Sequence, residues 1–131
     1  MPKSRDLRVR TFQFTVDIVR LCTARLTNDP ISRRLAFQLV DAAGSVGANV
    51  EESAAAQSKR DFIAKQSIAL KEANESRFWL RVIASAFPRM ASEIAAHINE
   101  SSELVAMLTA SIKTAKSNPD RGPKSADPNE A

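Results

Sequence analysis

The 131-residue sequence contains only three glycines, one cysteine and one histidine, and it has no tyrosine. A single cysteine excludes an internal disulfide. No apolar run approaches the roughly 18 residues that a transmembrane helix needs, and the first residues, MPKSRDLRVR, lack the apolar centre of a signal peptide. We therefore expect a cytoplasmic protein that makes no membrane contact.

The residues that are abundant favour helix. Alanine, leucine, isoleucine, glutamate, lysine and arginine make up about half of the chain, which is a composition that leans toward α-helix. Apolar residues make up 44% of the sequence. That is enough for one core, and a length of 131 residues suits one domain and leaves no room for a separate catalytic domain. The composition predicts one all-α domain.

Apolar residues spaced at steps of three and four predict four helices. We place them at about residues 8–27, 30–55, 58–87 and 89–115. Because the links between them are short, consecutive helices should run antiparallel in an up-down-up-down bundle. This domain covers residues 1–116. Residues 117–131 contain three prolines and no large apolar side chain, which predicts a disordered tail.

The first predicted helix carries two apolar lines. The line taken as its core face consists of Phe12, Val16, Val19, Cys22 and Leu26. The second line consists of Phe14, Ile18 and Leu21. Together they are wider than one core contact requires. We interpret the surplus as surface that is available to another subunit.

The stretch DAAGSVGANVEE, Asp41 to Glu52, raises the question of a phosphate-binding loop. Such loops need GxxxxGK[ST], or GxGxxG after a strand, and neither pattern is present. Instead an apolar helical line runs through the stretch, formed by Leu35, Leu39, Ala42, Val46 and Val50. The sequence therefore predicts the interior of a helix.

Two glycines inside a helix need a structural reason, because each is about 1 kcal/mol less favourable than alanine. We interpret Gly44 and Gly47, together with Ala43 and Ala48, as a smooth patch where a neighbouring helix approaches closely. Two helix starts are also encoded locally. Asp29-Pro30 and Ser58-Lys59-Arg60-Asp61 are typical N-terminal capping sequences.

No combination of side chains points to catalysis. Metal sites in helical bundles combine inward carboxylates with Glu-x-x-His pairs, but the one histidine, His97, lies four residues after Glu93. Cys22 lies on a predicted core line, and nothing in the sequence places it beside His97. We expect no cofactor, no metal and no enzymatic activity.

The net charge of +4 is unevenly distributed. Residues 1–34 carry +5, residues 35–57 carry −3 and residues 58–87 carry +3. Basic segments permit contact with an anionic partner, and the alternative is that they are ordinary solvated helix faces. No zinc knuckle, helix-turn-helix or aromatic stacking platform is evident. The candidate nucleic-acid-binding residues are Arg8, Arg10, Arg33, Arg34, Lys59, Arg60 and Lys65.

Two segments carry a family resemblance: SVGANVEE, Ser45 to Glu52, and KRDFIAKQSIALKEANESRFWL, Lys59 to Leu80. They resemble the four-helix-bundle family of 23S rRNA-intervening sequence proteins. The resemblance implies a bacterial homopentamer, sometimes encoded within an insertion in a large-subunit ribosomal RNA gene, whose biochemical role is not established. At fold level it extends to the accessory variability determinants of diversity-generating retroelements, basic pentamers that bind a reverse transcriptase and nucleic acid.

The resemblance also implies roles for individual residues. Asn49 and Glu52 would supply buried hydrogen bonds that fix helix orientation. The chain departs from the family at Ser53, where members often carry glycine. The expected packing or interface residues are Gly44, Gly47, Asn49, Glu52 and Trp79.

Two functions from different classes follow from these observations. The leading hypothesis is a non-enzymatic oligomeric module that binds RNA or a ribonucleoprotein through basic helix ends. The alternative is a protein-interaction scaffold or accessory subunit, for example to a reverse transcriptase, with no direct nucleic-acid contact.

Overall fold

A computed structural model describes residues 3–119 of the chain, and it is all-α in that range. The helices are α1 (Leu7–Arg25), α2 (Pro30–Ala54), α3 (Lys59–Ala86) and α4 (Ala91–Ser117), with a 3-10 turn at Pro88–Met90 between the last two. The predicted all-α class and the four helices are confirmed. Most of the predicted disordered tail, from residue 120 onward, lies outside the described residues.

Local capping explains where three helices begin. Asp6 accepts a hydrogen bond from the backbone N–H of Arg8 at 2.9 Å. Asp29 accepts one from the N–H of Ser32 at 2.9 Å, with Pro30 as the first helical residue. The hydroxyl of Ser58 accepts one from the N–H of Asp61 at 3.0 Å. Each side chain satisfies a backbone donor that the first helical turn leaves unpaired.

The helices pack in a cycle around one interior. Within residues 3–119, α1 packs beside α2 and α4, and α3 packs beside α2 and α4, while the backbones of the diagonal pairs stay apart. The largest fully buried side chains come from all four helices and include Phe14, Ile18, Leu39, Val46, Leu80, Ile83, Ile94, Leu104 and Leu108. The DAAGSVGANVEE stretch lies inside α2, as predicted.

The core face of α1 differs from the prediction. Phe14, Ile18 and Leu21, which belong to the second apolar line, are buried. Phe12 and Val19, which belong to the predicted core line, are 64% and 40% exposed. The two lines lie side by side on the helix, and the position of α2 and α4 decides which one faces inward. Cys22 and Leu26 of the predicted core line are buried as expected, so the surplus apolar surface of α1 is formed by Phe12 and Val19.

Candidate nucleic-acid interface

The predicted basic residues occupy both ends of the bundle. Arg8 binds Glu51 at 3.2 Å and Lys65 binds Glu52 at 3.0 Å, so both lie where α2 ends. Arg34 lies near the start of α2, 18 residues before Glu52. At 1.5 Å per residue this is a separation of about 27 Å along the helix. The candidate residues therefore cannot form one patch on a single chain.

We call one end the lysine end, formed by residues 3–10, 48–66 and 100–118. Its segments are joined by ion pairs of Arg8 with Glu51 and Arg10 with Glu100, and by a 2.7 Å hydrogen bond from Lys59 Nζ to the carbonyl of Asn118. We call the other end the arginine end, formed by residues 18–36 and 76–95. The two segments of the arginine end meet at a 2.9 Å ion pair between helices α1 and α4.

Arg10 is not available to a ligand, which corrects its assignment as a nucleic-acid-binding residue. Its guanidinium donates two 2.8 Å hydrogen bonds to Glu100 and a 2.6 Å bond to Glu103, and its side chain is only 10% exposed. These carboxylates raise the pKa of Arg10 further above its already high value, against the opposing effect of burial. Lys3 also binds Glu100, at 2.7 Å. Arg10 joins α1 to α4.

The other lysine-end candidates are mostly engaged as well. Arg8 and Lys65 each hold a glutamate, and Lys59 holds a backbone carbonyl. Arg60 is exposed and makes no ion pair within residues 3–119. A ligand at this end would compete with carboxylates that already neutralise the cations.

The arginine end carries basic residues that the sequence did not single out. Arg33 donates to the carbonyl of Thr27 at 3.1 Å, and Arg34 is exposed. Four further exposed arginines lie at this end, namely Arg20, Arg77, Arg81 and Arg89. These arginines belong to the positively charged segments of the sequence. Only the packing of the helices shows that these segments lie at the same end of the bundle.

The two glycines of α2 differ in what they contact. A Cβ added at Gly47 would lie 3.0 Å from Thr15 Oγ1 and 3.5 Å from the carbonyl oxygen of Thr11, so Gly47 allows α1 to approach α2 closely. A Cβ added at Gly44 would meet nothing within 4 Å. The predicted close packing against a neighbouring helix of the same chain applies to Gly47 and not to Gly44.

The expected buried hydrogen bonds of Asn49 and Glu52 are not present, which corrects that expectation. Asn49 donates only to Ser45, one turn earlier in α2, and Glu52 is an exposed partner of Lys65. The buried polar contact between α2 and α3 is instead made by Ser53 and Gln66, with Gln66 Nε2 donating to Ser53 Oγ at 3.2 Å. Ser53 is the position where the chain departs from the resembling family.

Trp79 is half-buried against the core at the arginine end. Its Nε1 donates to Glu75 at 3.2 Å, and its ring meets Phe78 edge-to-face with the ring centroids 5.0 Å apart. Phe78 itself is 50% exposed. The indole therefore supports a neighbouring aromatic ring that faces solvent.

Most of the large apolar side chains that are exposed within residues 3–119 lie on α1 or α2. Phe12, beside the glycine patch of α2, helps to line a small depression of about 160 Å³ with Gly44, Gly47 and Ala48. Phe37 of α2 is 68% exposed. We call this surface, with Phe12, Val19, Phe37, Gly44 and Ala48, the α1–α2 face.

Groups typical of catalysis do not converge. Within residues 3–119 there is no cluster of three or more histidine, cysteine, aspartate or glutamate side chains placed to hold a metal ion. Cys22 is buried in the core, whereas His97 lines a groove between α1 and α4. None of the helices in the same range is long and apolar enough to cross a bilayer.

Comparison with known proteins now identifies the family. The family model of the 23S rRNA-intervening sequence protein matches residues 5–110, which include all of α1 to α3 and most of α4. The chain belongs to the 23S rRNA-intervening sequence protein family. The resemblance noted in the sequence is thereby confirmed.

A solved structure agrees with this assignment. A protein of unknown function from the S23 ribosomal protein family of Bacteroides thetaiotaomicron VPI-5482 is 31% identical to the chain. The similarity covers 82% of this chain and 99% of that one, with a TM-score of 0.74. No curated protein matches the chain. The comparisons therefore show the family and the fold of this chain, and the similar solved structure is described as a protein of unknown function.

Proposed function

We propose that this protein is a non-enzymatic, oligomeric helix bundle that binds RNA or a ribonucleoprotein through the basic ends of its helices. The observation that carries the proposal is the group of exposed arginines at one end of the bundle. Cationic side chains displace condensed counterions from phosphates, so such binding is strong at low salt and falls steeply as salt rises. The family name is consistent with an RNA-linked role.

We also propose that consecutive helices run antiparallel. Thr15 Oγ1 donates to the carbonyl of Ala43 at 3.0 Å, and Cys22 Sγ lies 4.0 Å from the carbonyl of Ala36. Residue numbers therefore rise along α1 as they fall along α2. The short connections between helices support the same arrangement for the rest of the bundle.

The proposed assembly is a homopentamer. The α1–α2 face supports self-association because it leaves several large apolar side chains in solvent, and contiguous apolar patches of this kind mark interaction sites. A subunit of the same chain is a suitable partner because the depression beside Phe12 can receive an apolar side chain. The number five comes from the family resemblance.

The assembly can be tested by light scattering coupled to gel filtration. Replacing Phe12 with lysine should reduce the particle mass, since a charge would be buried in the contact. The matched control is Ala24→Lys, which adds the same charge at an exposed position of the same helix. A Phe12→Lys variant with the mass of the unaltered protein would refute the α1–α2 face as the contact.

RNA binding can be tested by recording absorbance at 260 and 280 nm during the same gel filtration. We expect co-purified nucleic acid at low salt that is removed at high salt. Replacing Arg33, Arg34, Lys59 and Arg60 with glutamate should abolish retention at low salt. If this charge-reversed variant retains as much RNA as the unaltered protein, the basic helix ends are not the binding surface.

A protein-interaction scaffold remains the second candidate, and one groove favours it. The groove, of about 1010 Å³, lies at the lysine end and has Leu7, Phe62 and Met107 among its lining residues, with Lys3 and Arg5 at its edge. An amphipathic helix of a partner protein is the kind of ligand that such a groove accepts. A pulldown that recovers the partner after nuclease treatment would favour the scaffold. One emptied by nuclease would favour RNA binding.

A further inference from the structure

The two ends of the bundle differ in charge and in the type of cation they carry. The arginine end has seven arginines, no lysine and only two acidic residues, Asp29 and Glu93. The lysine end has nine basic residues, five of them lysines, and six acidic residues. The excess of positive charge within these ranges is +5 at the arginine end and +3 at the lysine end, and two further acidic residues, Asp17 and Glu75, directly adjoin the arginine end.

The two ends also differ in how many cations are already paired. At the lysine end, Lys3, Arg8, Arg10 and Lys65 all form ion pairs with glutamates. At the arginine end, within residues 3–119, Arg25 alone forms an ion pair, with Glu93. The cations that form no ion pair within this range are all arginines at the arginine end, whereas at the lysine end three of the five are lysines, namely Lys59, Lys113 and Lys116.

Both acidic residues at the arginine end have structural tasks. Asp29 caps α2 through the backbone N–H and hydroxyl of Ser32, and these bonds lower the pKa of its carboxyl group. Glu93 holds Arg25. Neither forms an ion pair with the exposed arginines Arg34 or Arg81 in the described structure. An incoming anion would meet these guanidinium groups without first displacing a carboxylate.

Arginine is the cation best suited to phosphate. Its planar guanidinium presents several fixed N–H donors that match two phosphate oxygens at once, whereas a lysine ammonium acts as a point charge. Arg34, Arg81 and Arg89 are exposed and belong to α2, α3 and the 3-10 turn respectively. Each of them can therefore hold a phosphate through two N–H donors.

An exposed aromatic ring lies beside Arg81. Phe78 is 50% exposed and, with Arg81 and Val82, lines a shallow groove of about 480 Å³ on α3. Its orientation is supported by the edge-to-face contact with Trp79. Proteins that bind single-stranded nucleic acid use exposed aromatic rings beside cations, because the unpaired bases of the strand can stack on the ring. A duplex keeps its bases stacked internally and cannot use the ring in this way.

We infer that the arginine end is the nucleic-acid contact surface and that it takes a single strand, with phosphates on Arg34, Arg81 and Arg89 and a base stacked on Phe78. This inference rests on the proposed function, and it restricts that function to one end and one class of ligand. The lysine end then has a structural role, because its ion pairs connect the helices.

The test compares two triple variants of the full chain that each remove three exposed, unpaired charges. The arginine-end variant is Arg34→Gln, Arg81→Gln and Arg89→Gln. The control is Arg5→Gln, Lys113→Gln and Lys116→Gln at the lysine end. Fluorescence anisotropy measures binding to a short labelled single-stranded RNA across a salt titration. The slope of log affinity against log salt should fall by about two in the arginine-end variant, since each contact contributes about 0.7, and should stay unchanged in the control.

A second measurement addresses the single strand. Replacing Phe78 with leucine keeps an apolar side chain at a half-exposed position and removes the stacking surface. We expect roughly tenfold weaker binding to the single strand and no change for the same RNA annealed to its complement. Equal affinities of the leucine variant and the unaltered protein for the single strand would contradict stacking on Phe78.

The outcomes separate the inference from the proposed function. If the control variant loses as much affinity as the arginine-end variant, or more, RNA binding stands but its placement at the arginine end is wrong. If the unaltered protein binds no RNA even at low salt, the proposed function fails and the inference fails with it. Circular dichroism and light scattering on each variant show that its fold and assembly are retained.

Discussion

Replacing the two α2 glycines with alanine, one at a time, should shift stability in opposite directions. Alanine in a helix interior is about 1 kcal/mol more favourable than glycine. At Gly44 the new methyl group meets nothing within 4 Å in the same chain, so within one subunit this gain is realised in full. We expect Gly44→Ala to raise the free energy of unfolding by about 1 kcal/mol.

At Gly47 the same substitution meets a fixed obstacle. The new Cβ would lie 3.0 Å from Thr15 Oγ1, and that hydroxyl is held by contacts of 2.9 Å to the carbonyl of Thr11 and 3.0 Å to the carbonyl of Ala43. Space can be made only by disturbing these hydrogen bonds or by separating α1 from α2. Overpacking of this kind costs about 1–3 kcal/mol. After the helix-propensity gain, Gly47→Ala should lower the free energy of unfolding by about 1 kcal/mol.

Urea unfolding followed by circular dichroism measures both variants. With a slope of about 2 kcal/mol per molar, the two midpoints should differ by about 1 M. In a Thr15→Ala background the obstructing oxygen is gone, so Gly47→Ala should become stabilising, and the double-mutant cycle isolates this contact. Light scattering checks that all variants share one assembly state. If Gly47→Ala stabilises the unaltered background as much as Gly44→Ala does, close packing at Gly47 is refuted.

Three further predictions concern ionisable groups. Arg10→Ala should lower the free energy of unfolding at neutral pH by about 3 kcal/mol in urea titrations, because Glu100 loses its main buried partner. Burial disfavours the ionised form of Glu100, but the bonds to Arg10 and Lys3 outweigh burial and hold the pKa of Glu100 below the usual 4.5. The free energy of unfolding should therefore fall as the pH drops through that lowered pKa, and this fall should be smaller in Arg10→Ala. The pKa of Glu72 is raised, first by burial and then by the nearby carboxylate of Glu75. Because ionised Glu72 is unfavourable in the fold, Glu72→Gln should raise the melting temperature at neutral pH, and this gain should vanish in acid, where Glu72 is protonated. Burial raises the pKa of the Cys22 thiol to about 11, so a thiol reagent should label it only at the rate of unfolding.

The sequence predicts the start of a helix well because capping is local. Asp29 and Ser58 each accept from an N–H three residues later, and both patterns are visible in a few letters of sequence. The same locality explains why the glycine-containing stretch of α2 could be assigned to a helix. No information from elsewhere in the chain was needed.

The inward face of α1 could not be predicted in the same way. Phe12 and Phe14 belong to neighbouring apolar lines of one helix, and both lines satisfy helical spacing. The two helices that contact α1 decide that Phe14 is buried and Phe12 exposed. Periodicity shows that a helix has a wide apolar surface, but it does not show which part is covered by the same chain.

The roles of the basic residues required tertiary structure for a similar reason. Arg10 is neutralised by Glu100, which lies 90 residues later. Counting charge by segment placed Arg10 with Arg34, although Arg10 is buried in an ion-pair network and Arg34 is exposed with no ion pair among residues 3–119. The charge of a segment therefore gave a weak indication of a binding surface until its partners were known.

The surface proposed for assembly reaches the surface proposed for RNA. The α1–α2 face runs along the side of the bundle as far as Phe37, one helical turn after Arg34, whereas Arg81 and Arg89 lie on α3 and the 3-10 turn. If subunits related by a ring axis contact one another through their sides, every arginine end lies at the same level of the ring. Each subunit then adds its own free guanidinium groups to one continuous surface, and a strand long enough to cross several subunits gains affinity without any new type of contact. The weak charge excess of one chain is in this way sufficient for a salt-sensitive RNA surface, provided that the sides assemble.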